Sequence, residues 1–312
     1  MEKLKIQDRA FVHSGTVAII GPSNAGKSTL LNAFLGQKLS IVTSKPQTTR
    51  NRISGILNQE DAQILFIDTP GIHQAKDSMN HYIVNMARQA LWGTDIVILL
   101  LDGARYTKHP DRFDMDMSLF RQELLDSGGS LVVGLNKADL MNDKRDLLPL
   151  IEQCSALWPD AELFPVSAHK EINTESLKNF LVQTLPQGPP LFPEDQLSTL
   201  PMRFLASEII REKFFQELRQ ELPYSIAVEI DHWEEVPERD LVIINGLIYV
   251  SRNNHKQIVI GHKGSLLKKI GQRAREELIP FIGQRVHLQL WVKVRPQWNE
   301  DKRLLAQLIP DI

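Results

Sequence analysis

The sequence predicts an α/β chain: a doubly wound, mostly parallel sheet followed by a smaller α+β domain. Three observations predict it. Between Thr16 and about Leu185, short and nearly continuous apolar runs alternate with amphipathic stretches, the pattern of strands buried on both faces and joined by crossover helices. The segment PQGPPLFPEDQLSTLP, Pro186–Pro201, carries five prolines and cannot continue a helix or a central strand. Beyond it the order changes to helix, two strands, helix, strand. The boundaries read as 1–185, a linker at 186–201, and 202–312, and 312 residues suit two domains of common size.

In the first domain TVAII, QILFID, DIVILLLD, SLVVGLN and ELFPVS read as strands. LLNAFLG, NHYIVNMARQALW and MDMSLFRQELL read as helical segments between them. In the second, apolar residues at Phe204, Leu205, Ile209, Ile210, Phe214 and Leu218 form a helical stripe. YSIAVEIDHW and LVIINGLIYV are strands, KGSLLKKIGQRAREELIPFIG is a helix, and VHLQLWVKV is a strand by strict alternation.

Hydrophobic content of 42% and charge of 24% are ordinary for a globular protein. The single cysteine, Cys154, excludes an intrachain disulfide or a cysteine-based zinc site and fits a reducing cytoplasm. The N-terminal stretch has no signal-peptide core, and no run approaches the roughly 18 apolar residues of a membrane span. The expectation is a soluble protein, at most peripheral at a membrane.

GPSNAGKST, Gly21–Thr29, lies between a strand and a helix. In that context Gly-x-x-x-x-Gly-Lys-Ser is a phosphate cradle: glycines admit backbone N–H groups to the phosphates, Lys27 reaches the β and γ oxygens, and the Ser28 hydroxyl ligates Mg²⁺. Gly21, Asn24, Ala25, Gly26, Lys27, Ser28 and Thr29 form the expected contact set. Asp68 ends QILFID and opens DTPG, where its carboxylate holds Mg²⁺ through water and the Gly71 N–H meets the γ-phosphate. Between them PQTTRNR offers a threonine for the magnesium shell, Thr49 or else Thr48. Lys27, Thr49 and Gly71 are the expected catalytic groups.

NKAD, Asn136–Asp139, decides the base. A carboxylate at Asp139 accepts from both N1–H and the 2-amine of guanine, whereas adenine has neither and leaves a desolvated charge unpaired. The nucleotide is therefore GTP or GDP, with Asn136, Lys137, Asp139 and the backbone of Ser167 and Ala168 around the base. The residue after DTPG is Ile72, which cannot orient water as the glutamine of Ras-like proteins does. His73 beside it is more ordinarily a solvated loop residue.

In the second domain Gly261, His262, Lys263 and Gly264 make a basic GxxG loop ahead of a helix carrying Lys268, Lys269, Arg273 and Arg275. Such a loop lies against a nucleic-acid backbone in KH domains. From Arg252 to Arg295 ten Lys or Arg face two Glu, in a chain of net charge -2. KQIVI reads as a strand by propensity, yet a KH domain needs a short helix there, and the motif takes precedence.

These motifs resemble the Era family of bacterial GTPases over nearly the whole chain: the P-loop, QTTR, DTPGIH, NKAD and VSA, then RFLASEIIREK, ELPYS, INGLIYV, VIGHKG and HLQLWVKV with Trp298 following. Pro22 and Ser23 before Asn24, Ala25 in place of valine, and the ending VSAHK depart from the usual pattern without removing a phosphate or base contact. The resemblance implies a GTPase joined to a type II KH domain that binds the 3′ end of 16S ribosomal RNA and assists 30S subunit maturation, cytoplasmic with a fraction peripheral at the inner membrane. It also implies that Asn24 either holds K⁺ against the phosphates or braces the loop. The competing readings are a GTPase whose second domain engages protein or membrane surface in cell-cycle signalling, and a P-loop kinase, in which NKAD would have no use.

Overall fold

The computed structural model describes residues 12–43, 45, 52–70, 91, 93–118, 120, 124, 128–301, 304, 305 and 308. The chain divides into two compact units, Met1–Ser40 with Thr49–Thr199, and Ile41–Thr48 with Leu200–Ile312.

In the first unit the elements are β1 (Val12–Ile20), α1 (Lys27–Leu35), β2 (Ile53–Asn58), β3 (Ala62–Asp68), β4 (Ile96–Asp102), α2 (Gly103–Lys108), α3 (Asp111–Met117), β5 (Ser130–Asn136), α4 (Leu148–Leu157), β6 (Glu162–Pro165), α5 (Thr174–Thr184) and the short β7 (Gln187–Gly188). The sheet runs β2-β3-β1-β4-β5-β6, with β7 paired to β1. β3, β1, β4, β5 and β6 are parallel neighbours, and the apolar runs read from sequence fill its middle: Val17, Ile19, Val97, Leu99 and Val133 are all fully buried. Strand order reverses at β1, which makes the C-terminal ends of β1 and its neighbours the natural ligand crevice. The helical reading at NHYIVNMARQALW lies outside the described residues save for Leu91; that at MDMSLFRQELL begins in α3 at Met115–Met117, and Leu119, 121–123 and Leu125 lie outside the described residues.

β2 is the element that apolar periodicity passes over. It is antiparallel to β3 and short, and Gly55 interrupts it. The backbone of Gly55 packs closely on leucine side chains, and a Cβ would come within 2.6 Å of Leu35 Cδ1. The proline-rich segment runs along this edge rather than free of the unit. The Ile56 N–H donates to the Leu197 carbonyl at 2.9 Å, the Gln63 side chain accepts from Leu191 and Phe192 N–H and donates to the Phe192 carbonyl, and Asn58 donates to Glu194 O. After the two-residue β7, the segment thus runs along the β2 edge and covers it.

The second unit contains α6 (Met202–Glu217), β8 (Ile226–Val236), β9 (Leu241–Val250), α7 (Asn253–Ile260), α8 (Ser265–Ile282) and β10 (Arg285–Val294). Its sheet is β10-β9-β8, antiparallel between β8 and β9 and parallel between β9 and β10. Ile210, Phe214, Ile244, Ile248, Ile270, Ala274 and Leu278 form its core. KQIVI belongs to helix α7. A parallel partner for β9 requires a crossover connection, so the stretch between β9 and β10 is committed to helix whatever its β propensity. The segment after Ser40 also belongs to this unit, with the Val42 N–H on Glu212 Oε1 at 3.2 Å. No helix among the described residues is long and apolar enough to cross a membrane.

Candidate nucleotide site and nucleic-acid interface

The loop after β1 is shaped by two glycines. Gly21 (φ 146°) and Gly26 (φ 99°) occupy backbone conformations that side chains rarely adopt. A Cβ on Gly21 would lie 2.1 Å from the Leu100 carbonyl oxygen, and one on Gly26 2.2 Å from Asn136 Nδ2. The loop therefore closes tightly over the ends of β4 and β5. Lys27 opens α1, with its ammonium donating to the carbonyls of Gly21 and Pro22, each at 3.0 Å. Burial pushes its pKa down to about 8, against the pull of Asp68. Asn24 is left-handed (φ 64°) within the loop, Ala25 is buried, and Thr29 follows on α1.

Asp68, fully buried at the end of β3, accepts from Ser28 Oγ at 2.6 Å and Ser40 Oγ at 2.9 Å on one carboxylate oxygen, Oδ2. Its other oxygen, Oδ1, is buried with no hydrogen-bond partner among the described residues. Burial raises the Asp68 pKa, and Lys27 and the two serine hydroxyls oppose the rise. A carboxylate kept buried with one oxygen unused is set for a cation. Thr49 and Gly71, the two remaining residues expected at this end, lie outside the described residues, as do Thr48, Ile72 and His73.

At the base end Asn136 ties three segments together. Its Nδ2 donates to Ala25 O at 2.7 Å, and its Oδ1 accepts from the Ala168 N–H at 2.9 Å. Asp139 sits on the turn that follows β5, where Ser167 Oγ donates to its Oδ1 at 2.6 Å and fixes the carboxylate plane. Lys137, left-handed at φ 64°, reaches Asp102 Oδ2 at 2.6 Å. Ser40 and Asp102 escape the motif reading. For Asp102 a signal exists, since it ends an apolar strand as Asp68 does. Ser40 stands among residues with no pattern, and only folding carries it to Asp68.

In the second unit α7 ends at Gly261 (φ 73°), where a Cβ would meet Leu266 Cβ at 2.7 Å. His262, Lys263 (φ 47°) and Gly264 (φ 79°) then turn the chain into α8. Below this loop lies a groove of about 420 Å³ with Lys268, Gln272 and Arg275 on α8 and Leu288 and Leu290 on β10. The four helix cations do not share one face. Lys269 pairs with Glu217 at 2.7 Å, and Arg273 bonds Glu217 and Gln216. Consecutive helix residues are about 100° apart, so Lys268 and Lys269 diverge. The groove cations are Lys268 and Arg275, and Lys269 and Arg273 are turned to α6.

A curated relative from Nitratidesulfovibrio vulgaris (strain DP4), named GTPase Era, is 51% identical over 94% of this chain and 96% of its own. The chain belongs to the Era family. The Era protein of Geobacter metallireducens is 43% identical over 95% of the chain and 97% of its own length. Two family models divide it, one described as 50S ribosome-binding GTPase over residues 16–147 and one as KH domain over 221–299. A solved single-residue variant of Aquifex aeolicus Era, bound to GDP and aluminium fluoride, superposes with a TM-score of 0.89 at 39% identity, covering 96% of this chain and 99% of that one. An Era structure with MgGDPNP and nucleotides 1506–1542 of 16S ribosomal RNA matches to the same degree. This member of the family is accordingly a GTPase with a KH domain, and KH domains carry the GxxG loop seen at Gly261–Gly264.

Proposed function

We propose that the chain is a GTP-driven switch whose KH unit binds the 3′ region of 16S ribosomal RNA and which assists assembly of the 30S subunit. One observation carries the reading: the same chain holds the NKAD carboxylate Asp139, fixed by Ser167, and a GxxG loop opening on a groove edged by Lys268 and Arg275. The relative solved with 16S nucleotides supports the choice of RNA.

Mg²⁺ fits the residues present. The Ser28 hydroxyl would ligate the ion directly, the unpaired Asp68 Oδ1 would accept from a water of its shell, and Thr49 would complete it, all oxygen donors of the kind that ion prefers. The ion, when bound, neutralises charge building on the β and γ oxygens. Lys27 exchanges the carbonyls of Gly21 and Pro22 for those oxygens, and the Gly71 N–H donates to the γ-phosphoryl group. Ile72 cannot order the attacking water and no arginine finger is assignable, so positive charge has another source; Asn24 either holds K⁺ against the phosphates or only braces the loop, and the choice is open to test. If it holds the ion, hydrolysis is faster in KCl than in NaCl at equal ionic strength, and Asn24→Ala erases the difference while GTP still binds. Equal rates in the two salts refute the potassium site.

The RNA reading is tested by replacing His262 and Lys263 together with Asp. Filter binding of a 3′-terminal 16S fragment should weaken at least tenfold at matched salt through phosphate repulsion, with GTP affinity unchanged. Unaltered RNA affinity overturns it.

A further inference from the structure

The open face of the second unit's sheet carries side chains that neither the nucleotide site nor the GxxG groove uses. β10 is an edge strand, and its side chains alternate. Val286 and Val292 join the core, whereas Arg285, His287, Gln289, Trp291 and Lys293 are exposed. Trp291, 45% exposed, is the one aromatic among the exposed large hydrophobic side chains of the described residues. Its neighbour on β9 is Leu247, and the next outward row is Gln289, Asn245 and His232.

The C-terminal segment closes one end of this face, where Trp298 and Leu304 pack on Ala227 and Tyr249, and among the described residues the cluster reaches as far as the half-buried Leu247. Beyond it Asn245 Oδ1 is buried with no hydrogen-bond partner among the described residues. A buried amide oxygen in that condition is one that a ligand can complete.

Charge selects the occupant. The outward side of β10 bears Arg285, His287 and Lys293 and no acid. On β8, across the sheet, Glu229 is occupied by the Tyr249 hydroxyl and Glu234 by His232, and Asp231 is exposed at the strand's bulge, two strands away from β10. The inward side of the same strand supplies Leu288 and Leu290 to the groove beneath Lys268 and Arg275. A polyanionic strand leaving that groove meets the β10 edge, and one turn around it reaches Trp291.

We propose that the exposed face of β10 is a second RNA subsite, where a base of the strand that fills the GxxG groove stacks on Trp291. Lys293, two residues along and so about 7 Å away, takes the adjoining phosphate, a spacing close to one nucleotide. The amides of Gln289 and Asn245 face the base edge. This rests on the RNA-binding reading of the groove and extends it.

The test uses the full chain and two single-stranded oligonucleotides from the 3′ end of 16S rRNA, a hexamer that fills the groove and a dodecamer that overruns it. Trp291→Ala should weaken dodecamer binding roughly tenfold and leave the hexamer unchanged, since stacking on an aromatic is lost for one base. Trp291→Phe keeps a ring and most of the affinity. Lys293→Glu weakens the dodecamer and lowers its salt slope by about one contact, and does so independently of any folding defect in Trp291→Ala. Equal losses for both oligonucleotides, or none for either, overturn the proposal. So does loss of self-association on size exclusion with RNA binding intact, which would make the face a contact between copies. If the unaltered protein binds neither oligonucleotide, the RNA reading of the groove itself fails.

Discussion

In the proposed reading Asp139 selects the base, through a carboxylate to which Ser167 Oγ donates at 2.6 Å. Asp139→Asn replaces two acceptor oxygens by one acceptor and one donor, and xanthine presents an acceptor where guanine has its 2-amine. The variant should prefer XTP over GTP in competition binding, with GTP affinity down by about two orders of magnitude, in line with a buried polar group left unpaired. Retained GTP preference removes Asp139 from the base site. Three site residues, Asn24, Lys137 and Lys263, have positive φ without being glycine. Each conformation costs roughly 1 kcal/mol or more and persists because neighbours impose it. For Lys137 the constraint is visible, an ammonium held at Asp102 on one side of the turn and Asn136 anchored at both ends of its amide on the other.

At the level of elements, the edge strand β2 and the segment covering it show how propensity and context divide the work. Gln63, 3% exposed, is the clamp, since its amide engages both N–H groups and a carbonyl of the covering chain. Gln63→Ala should destabilise the first unit by about 1–3 kcal/mol, the cost of leaving those groups unpaired. A lowered urea midpoint with raised protease cutting within residues 186–199 is the expected result, and an unchanged midpoint would show that the segment is not held there. The prolines that read as an interdomain linker are compatible with this role because an edge cover donates few ladder hydrogen bonds. For α7 the lesson runs the other way. Ile258, Val259 and Ile260 favour a strand locally, and the crossover demanded by parallel β9 and β10 makes them helix.

On the scale of the whole molecule, a net charge of -2 conceals a basic stretch, Arg252–Arg295, around the GxxG loop, and the two units carry separate cores. Trp298, 2% exposed, closes the second unit with its indole N–H on Ser225 O at 3.0 Å. Trp298→Ala should cost about 3–5 kcal/mol there. Because the cores are separate, thermal unfolding of the variant should split, the second unit melting first while GTP binding survives. A single lowered transition that takes GTP binding with it would show that the units unfold as one.

The βα alternation of the first unit, the phosphate loop, the NKAD motif with Asp139 and the GxxG loop were all legible in the amino-acid sequence, because each depends on residues close in the chain. Backbone conformation, helix termini and strand ends are local properties, and the motifs sit upon them. Only the tertiary structure decided what depends on distant segments meeting: Ser40 on Asp68, Asp102 on Lys137, the proline segment along β2, and the turning of Lys269 and Arg273 to Glu217 while Lys268 and Arg275 edge the groove. The reason is physical. A hydrogen bond or ion pair between residues far apart in sequence leaves no period in either segment, and one helix turn carries its cations to different sides regardless of their number.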